Sequence, residues 1–172
     1  MAMNEKLREA MNRQVNAEFE SSLVYLQLSY ELARMSFSGM RTWMVNQAEE
    51  ESFHASKFTD HLIARGERVD LGDMSVPPTR LETPLEAFEI ALQHERKISE
   101  MIRELVRIAD SVGDLDSRSL LNWFLDEQIE EEDTVTGIID QIRLVGGDGS
   151  GLLRIDTRLA TAHPRSATST AG

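Results

Sequence analysis

The sequence predicts an all-α protein: a bundle of four long helices, with a long crossover between the second and third, followed by a short fifth helix. Three observations lead to this fold class. Four long segments each carry an apolar stripe at helical spacing. The first two helices and the last two repeat the same spacing of acidic residues. The connection between the second and third helices is far longer than the other two.

The four long helices are bounded by capping residues and glycines. The third begins at Thr83, with Pro84 at the first helical position and Glu86 in place to complete a capping box. The second is followed by Gly66, a typical C-terminal stop. The predicted ranges are about 5–34, 39–64, 83–113 and 117–146.

The connection from Glu67 to Glu82 decides the topology of the bundle. Helices of about 28 residues are about 42 Å long. The 16 residues of the connection reach about 53 Å when extended. The chain can therefore cross the whole bundle, which predicts that the second and third helices run parallel. Neighbouring antiparallel helices would need only a few linking residues.

Each apolar stripe is interrupted where a hydrophobic residue is expected. The interrupting residues are Glu18 in the first helix, Glu51 in the second, Glu95 in the third, and Gln128 with Glu131 in the fourth. A buried, unpaired carboxylate costs several kcal/mol or more. Four helices that share this cost imply a cation between them, and a metal cluster is the simplest candidate. The remaining stripe positions, predicted to form the core, are Met11, Val15, Ser22, Tyr25, Met44, Ala48, Ala55, Phe58, Leu62, Phe88, Ala91, Ile98, Ile102, Leu105, Leu121, Phe124, Val135, Ile138 and Ile142.

The spacing of these residues indicates two copies of one helical hairpin. Glu51 follows Glu18 by 33 residues, and Gln128 follows Glu95 by the same 33. His54 lies three residues after Glu51 and Glu131 three after Gln128, so each pair occupies one helix face. A Glu from two helices and a Glu-x-x-His from each of the other two is the di-iron carboxylate pattern. In the second hairpin this motif has become Gln-x-x-Glu.

Composition excludes several classes of function. At 172 residues the chain is one domain by length, and its net charge of −12 argues against nucleic-acid binding, which needs a positive surface. With no cysteine, disulfides and thiolate metal sites are excluded. No apolar run approaches the roughly 20 residues of a membrane span. The N-terminus has no signal-peptide pattern, so we expect a cytoplasmic protein.

The C-terminal part is predicted to add a short helix and a flexible tail. A glycine-rich hinge follows residue 146, and the fifth helix is predicted over about 152–160, which closes a domain of residues 1–161. The apolar residues of this helix exceed what a free terminal helix exposes, which favours a contact between subunits. The alternative is packing against its own bundle. Residues 162–172 are predicted to be disordered.

Four local motifs in this order resemble the ferritin family, specifically the non-haem bacterial ferritins, over nearly the whole chain. These motifs are AEFESSLVY at 17–25, QAEEESFH at 47–54, HE at 94–95 and NWFLDEQIEEE at 122–132. The resemblance implies a ferritin-like bundle with an iron-oxidising centre. Glu18 and His54 would bind the first iron, Glu51 would bridge both ions, and Glu95 with Glu131 would bind the second.

The same resemblance implies further residues around the iron pair. Gln128 would line the second iron, and Tyr25 would lie beside the pair, where it could supply an electron. Trp123 could do the same, although simple core packing is the favoured explanation of its position. A third iron site would be formed by Glu50, Glu127, Glu130 and Glu131.

The resemblance also implies the reaction and the assembly. Fe(II) would be oxidised by O2 or H2O2, and Fe(III) mineral would fill a hollow homo-oligomeric cage of 24 subunits. Oxygen ligands with one imidazole favour iron or manganese over a closed zinc site. Both iron storage and detoxification are compatible with this chemistry.

Rival classes fit the residues less well. Bacterioferritin binds haem through a methionine after the bridging Glu, and this chain has Ser52 there, so haem is not expected. DNA-protecting mini-ferritins lack a fifth helix, and rubrerythrin-like peroxidases usually add a cysteine-rich domain. A di-iron oxygenase would use the same bundle. The most distant alternative is a metal-free helical scaffold with polar layers, which would not predict equal Glu spacings.

Two groups of polar residues have no assigned role. His61, His94 and His163 follow no stripe and are predicted to lie at the surface. Asp110, Asp114 and Asp116 form an acidic turn, which either lines a pore or marks a helix boundary.

Overall fold

The computed structural model describes residues 3–162. They form helices α1 (Glu5–Arg34), α2 (Ser38–Ala64), α3 (Pro84–Val112), α4 (Arg118–Val145) and α5 (Gly149–Leu159). The four long helices begin and end within one residue of the predicted bounds. Apart from Ala162, the predicted tail lies outside the described residues, as does His163. None of the described helices is long and apolar enough to cross a membrane.

The third helix begins and ends as its sequence predicts. The Thr83 side chain accepts a hydrogen bond from the Glu86 N–H, and the Glu86 carboxylate accepts one from the Thr83 N–H. At the other end Gly113 has a φ of 66°, a left-handed conformation that costs glycine little. The start of α3 is therefore set locally, before any tertiary contact is made.

The core consists of two apolar clusters, one at each end of the bundle. The first is built around Leu28, Met44, Phe88 and Ile138, and the second around Leu7, Phe58, Ile102 and Leu121. Along the chain, α1 and α4 pass from the second cluster to the first, whereas α2 and α3 pass from the first to the second. Helices α2 and α3 are therefore parallel, which confirms the topology predicted from the length of the crossover.

Every stripe position predicted for the core is buried. The polar interruptions Glu18, Glu51, Glu95 and Gln128 are buried too, and they lie between the two apolar clusters in sequence on every helix. The four long helices therefore enclose one polar layer at mid-height, as the spacing predicts.

The crossover is held against α1 by two asparagines one helical turn apart. Asn12 and Asn16 accept hydrogen bonds from the backbone N–H groups of Asp70 and Gly72, at 2.8 and 2.7 Å. Their side-chain amides donate to the backbone carbonyls of Arg68 and Asp70, at 3.1 and 2.9 Å. The extended chain thus gains backbone partners although the described structure contains no β-sheet there.

Helix α5 begins at Gly149, three residues before the predicted start. Asp148 caps it by accepting a hydrogen bond from the Gly151 N–H at 2.8 Å. The glycines that predicted a hinge therefore form the first turn of the helix, because the cap offsets their low helix propensity.

Helix α5 packs on its own bundle, against α2 and α4. Ile155 and Leu159 are buried there, whereas Leu153 is 59% exposed. The Asp156 carboxylate accepts a hydrogen bond from the Met40 N–H at 2.8 Å, at the N-terminus of α2. Leu152 is partly buried against the same core cluster. Packing on its own bundle, the alternative to a subunit contact, therefore accounts for three of the four apolar residues of this helix.

Two histidines predicted to be at the surface are partly buried. His94 Nε2 lies 2.6 Å from Ser21 Oγ, and His61 Nε2 lies 3.0 Å from Ser117 Oγ. Burial lowers the pKa of His94 to about 4, helped by the charge of Lys97. The prediction was wrong because neighbouring helices, which the stripe of a single helix does not reveal, cover both rings.

The acidic turn is neutralised by arginines. Asp114 lies 2.7 Å from Arg65, and Asp116 lies 3.5 Å from the same guanidinium. Asp110 pairs with Arg118 at 2.7 Å. These pairs join the ends of three helices, which favours the helix-boundary interpretation over a cation pore.

Candidate metal centre

A compact group of possible ligands joins α1 and α2. Glu18, Glu51 and His54 each offer one ligand atom, and these atoms lie within 4.8 Å of one another. Both Glu51 oxygens, one Glu18 oxygen and both His54 nitrogens are buried without a hydrogen-bond partner. Buried polar atoms normally have partners. A cation placed among them would supply the missing interactions.

A second group shares His54 and adds residues from α4. It consists of Glu50, His54, Glu127 and Glu131, again with one ligand atom each within 4.8 Å. His54 Nδ1 is 3.8 Å from Glu51, and its Nε2 is 4.0 Å from Glu127. The imidazole therefore faces both groups.

Two other predicted carboxylate ligands lie outside both groups. Glu95 belongs to neither group, although it is buried in the same layer. It accepts hydrogen bonds from the Tyr25 hydroxyl at 2.5 Å and from the Gln128 amide at 3.2 Å. Glu130 is exposed and lies outside both groups.

Two glutamines in the layer were missed by the sequence analysis. Gln14 donates to Glu18 Oε1 at 2.7 Å, and Gln47 donates to Glu131 Oε2 at 3.0 Å. Each stands one helical turn before a predicted ligand, Glu18 or Glu51, on the same helix face. A polar residue at that offset in a buried stripe was the available signal. The Gln14 amide leaves the other oxygen of Glu18 buried without a hydrogen-bond partner.

The carboxyl groups of the layer hold protons more strongly than ordinary glutamates. Burial raises the pKa of Glu18, Glu51 and Glu131 well above the usual value, and neighbouring carboxylates raise it further. Burial also raises the pKa of Glu95, and it raises that of Glu50 to about 7. Without a cation the layer therefore retains protons at neutral pH, and a divalent cation would displace them.

Two aromatic rings flank the layer. Tyr25 is fully buried, and burial, followed by the charge of Glu95, raises its pKa well above the usual value. Trp123 is half-buried, and its ring centroid lies 5.6 Å from that of His54, edge to face. Both aromatics are therefore next to the site, as the resemblance implied.

A cavity of about 370 Å³ opens onto the second group. Helices α2, α4 and α5 form its walls, and Glu50, Glu127, Glu130 and Glu131 line it together with Arg158. Glu130 thus shares a solvent-accessible space with the other three acids although it lies outside their compact group. The cavity gives a hydrated cation a route to the buried carboxylates.

The donor set selects the kind of metal. Five carboxylates and one imidazole make up the two groups, and among residues 3–162 there is no thiolate. Carboxylate oxygens with imidazole suit iron and manganese, whereas closed zinc sites use cysteine and histidine in a tetrahedral set. The residues present therefore fit iron or manganese better than zinc.

Comparison with known proteins agrees with this geometry. The model of the ferritin-like domain family matches residues 8–145. A bacterial non-heme ferritin of Bacteroides fragilis (strain 638R) is 40% identical over 157 residues, which cover 91% of this chain and 98% of that protein. A bacterial non-heme ferritin of Staphylococcus haemolyticus is 33% identical over 158 residues, covering 92% and 95%.

Solved structures show the same similarity. An open pore ferritin from the archaeon Archaeoglobus fulgidus superposes with a TM-score of 0.92 at 36% identity, covering 94% of this chain and 100% of that one. An engineered closed form of the same ferritin gives 0.91, with 94% and 99% covered. The fold, the polar layer and the relatives agree: this chain belongs to the ferritin family, among the bacterial non-haem ferritins.

Proposed function

We propose that the protein stores iron: it oxidises Fe(II) with O2 at a di-iron centre in each subunit and keeps the Fe(III) product as mineral inside a cage of 24 copies. The observation that carries this proposal is the set of unpartnered atoms on Glu18, Glu51 and His54. Such atoms cost free energy in a protein core unless a ligand satisfies them. Membership of the ferritin family supports iron as that ligand.

The two ions would share the ligands of the polar layer. Glu18 and His54 hold the first iron, and Glu51 bridges to the second, which Glu95 and Glu131 complete. A carboxylate oxygen has more than one lone pair, so Glu95 can bind iron and still accept its hydrogen bonds. The bridge places negative charge between the two cations and lowers their repulsion.

The reaction balances without a resident cofactor. Two Fe(II) ions give two electrons to O2, which takes up two protons and becomes H2O2. H2O2 can then oxidise a second pair of Fe(II) ions, take up two further protons and become two water molecules. The raised pKa values of the carboxyl groups favour their protonated forms while the layer is empty. The incoming cations displace these protons.

A third iron would bind at the cavity, beside the pair. Glu50, Glu127 and Glu131 come together there, and Glu130 lines the same space. Oxygen ligands that are partly open to water hold Fe(III) in exchange with solvent. This is what a protein needs if it must pass its product on to a mineral, because a closed site would keep it.

The single chain carries features that support assembly. Leu144, Leu115 and Ile129 are 86%, 72% and 67% exposed in the isolated subunit. Contacts between copies would bury such side chains, and closed symmetry is the usual outcome for identical subunits. The net charge of −12 would draw Fe(II) toward the shell.

Aerobic loading tests the proposal. The iron-free protein receives a large excess of Fe(II), and size-exclusion chromatography follows protein and iron together. We expect far more than three irons per subunit to co-elute with a very large particle. If only two per subunit remain on a small oligomer, the bundle is a di-iron enzyme and iron storage is wrong.

A further inference from the structure

The two aromatic side chains beside the candidate centre lie in opposite electrostatic surroundings. Tyr25 faces carboxylates: its hydroxyl donates to Glu95 at 2.5 Å, and the charges of Glu51 and Glu131 also act on it. Trp123 faces a cation. The ammonium of Lys57 lies 4.1 Å from the centroid of the Trp123 ring.

Lys57 is held over the indole by its neighbours. Its ammonium also lies 4.8 Å from the centroid of the Phe53 ring, so it sits between two aromatic faces. Trp123 also meets His54 and Phe124 edge to face, with centroids 5.6 and 4.8 Å away. Trp123 therefore contacts both a positive charge and a candidate iron ligand.

The charge of Lys57 decides how easily Trp123 loses an electron. A cation over a neutral ring is attracted by the ring quadrupole. Once the ring has lost an electron it is positive, and the same contact becomes a repulsion between two charges about 4 Å apart. Tyr25 has the reverse situation, because carboxylates stabilise the oxidised ring and Glu95 can accept the phenolic proton.

We propose that Lys57 disfavours oxidation of Trp123, so that one-electron oxidation at the iron centre takes its electron from Tyr25. The inference rests on the proposed function. H2O2 that remains at the centre needs two electrons and two protons to become two water molecules. When no second pair of Fe(II) ions is present, Fe(II) at the third site supplies one electron and Tyr25 supplies the other. The protons for the water molecules come from the solvent, and the phenolic proton of Tyr25 passes to Glu95.

Lys57 is thus a positioning residue for Trp123. Its charge also acts on the Glu127 carboxylate, so the test measures oxidation of Trp123 itself and not the rate of iron oxidation. The Lys57→Met variant removes the charge and keeps most of the aliphatic stem, whereas Lys57→Arg keeps a cation over the ring. Lys97→Met is the matched control. It removes the same charge at a site away from Trp123, where Lys97 pairs with Glu20 at 3.8 Å.

The experiment adds O2 to each Fe(II)-loaded variant and traps radicals by rapid freezing for electron paramagnetic resonance. Peptide mass spectrometry then measures oxidation of Trp123 after repeated turnover. We expect a tyrosyl radical in the wild type and little oxidised Trp123. In Lys57→Met, oxidised Trp123 rises roughly tenfold or more, as loss of a unit charge at this distance allows. Lys57→Arg and Lys97→Met behave like the wild type.

A second measurement separates this inference from the proposed function. The iron-free variants are oxidised by a photoexcited ruthenium polypyridyl complex with persulfate, which needs no iron chemistry. Higher Trp123 oxidation in Lys57→Met than in Lys57→Arg supports the inference. Equal Trp123 oxidation in these two variants, with or without iron, overturns it. If no variant oxidises Fe(II), the proposed function fails, and the photochemical comparison still decides the role of Lys57.

Discussion

At the scale of single residues, a substitution of Glu51 separates the effect on iron oxidation from the effect on folding. Glu51→Ala removes the proposed bridge, and we expect the initial rate of Fe(II) oxidation to fall by more than the roughly 10–100-fold typical of losing an outer-shell partner of a metal ligand. Folding and assembly should persist, because the change removes a buried carboxylate whose oxygens have no protein partner. Stopped-flow absorbance at two Fe(II) per subunit measures the rate, and size-exclusion chromatography measures assembly.

The neighbouring Glu49 provides the control for this prediction. It lies on the same helix two residues away, carries the same formal charge and is exposed. Glu49→Ala should therefore oxidise Fe(II) at the wild-type rate. An unchanged initial rate in Glu51→Ala would remove Glu51 from the mechanism.

Charge explains which residues of the site could be predicted. A carboxylate in an apolar stripe signals a buried charge, so the burial of Glu18, Glu51 and Glu131 followed from spacing alone. Gln14 and Gln47 gave a weaker signal, because a neutral amide in a core needs only a hydrogen-bond partner. Their role depends on where a neighbouring carboxylate points, which is a property of the packed bundle.

At the scale of elements, the contact between α5 and α2 depends on one glycine. A Cβ added to Gly39 would lie 1.8 Å from the backbone oxygen of Asp156. Gly39→Ala should therefore push α5 away and break the hydrogen bond from the Met40 N–H to Asp156. We expect a loss of about 2 kcal/mol or more, from overpacking and the lost cap together.

Calorimetry and limited trypsin digestion test this prediction. A displaced α5 unwinds more readily, so cleavage after its exposed residues Arg154 and Arg158 should become faster as the melting temperature falls. Gly137→Ala is the matched control, since an added Cβ there meets nothing within 4 Å. If both variants melt and digest alike, close packing at Gly39 does not hold α5.

Helices α3 and α5 differ in how far their starts could be predicted. The start of α3 follows from Thr83, Pro84 and Glu86, which act within one turn of the chain. The start of α5 was predicted too late because glycines masked the Asp148 cap. The packing of α5 on the bundle depends on Asp156, whose carboxylate caps α2 through a residue 116 positions away in sequence. A local sequence pattern cannot predict such a contact.

At the scale of the whole molecule, the topology was predictable because geometry leaves few choices. The equal spacing of acidic residues in the two hairpins places them at one level only if α2 and α3 run parallel, and the crossover is long enough to permit this. The cavity was not predictable, because it depends on α5 folding back over α2 and α4. Helix α5 therefore forms one wall of the cavity that opens onto the polar layer.

The polar layer also gives the whole subunit a pH-dependent stability. The folded-state pKa of Glu50 is raised from 4.5 to about 7, mainly by burial. Between these values the folded protein binds a proton that the unfolded chain has released, so stability falls as pH rises. The contribution is complete below pH 4.5 and is lost as pH passes through 7. The contribution of Glu50 to the free energy of unfolding is at most about 3 kcal/mol. Water in the cavity screens the charge and reduces this contribution.

We therefore expect the melting temperature of the iron-free protein to fall between pH 5 and pH 8. A redox-inert divalent cation such as Zn²⁺ should stabilise it increasingly over the same range, because binding displaces the retained protons. Glu50→Gln should flatten the decrease, whereas Glu49→Gln, which removes one exposed charge, should keep the wild-type slope. Calorimetry of the three proteins with and without Zn²⁺ measures all of these effects. If Glu50→Gln and Glu49→Gln keep the same slope, general repulsion among the excess acidic residues, and not the buried layer, sets the pH dependence.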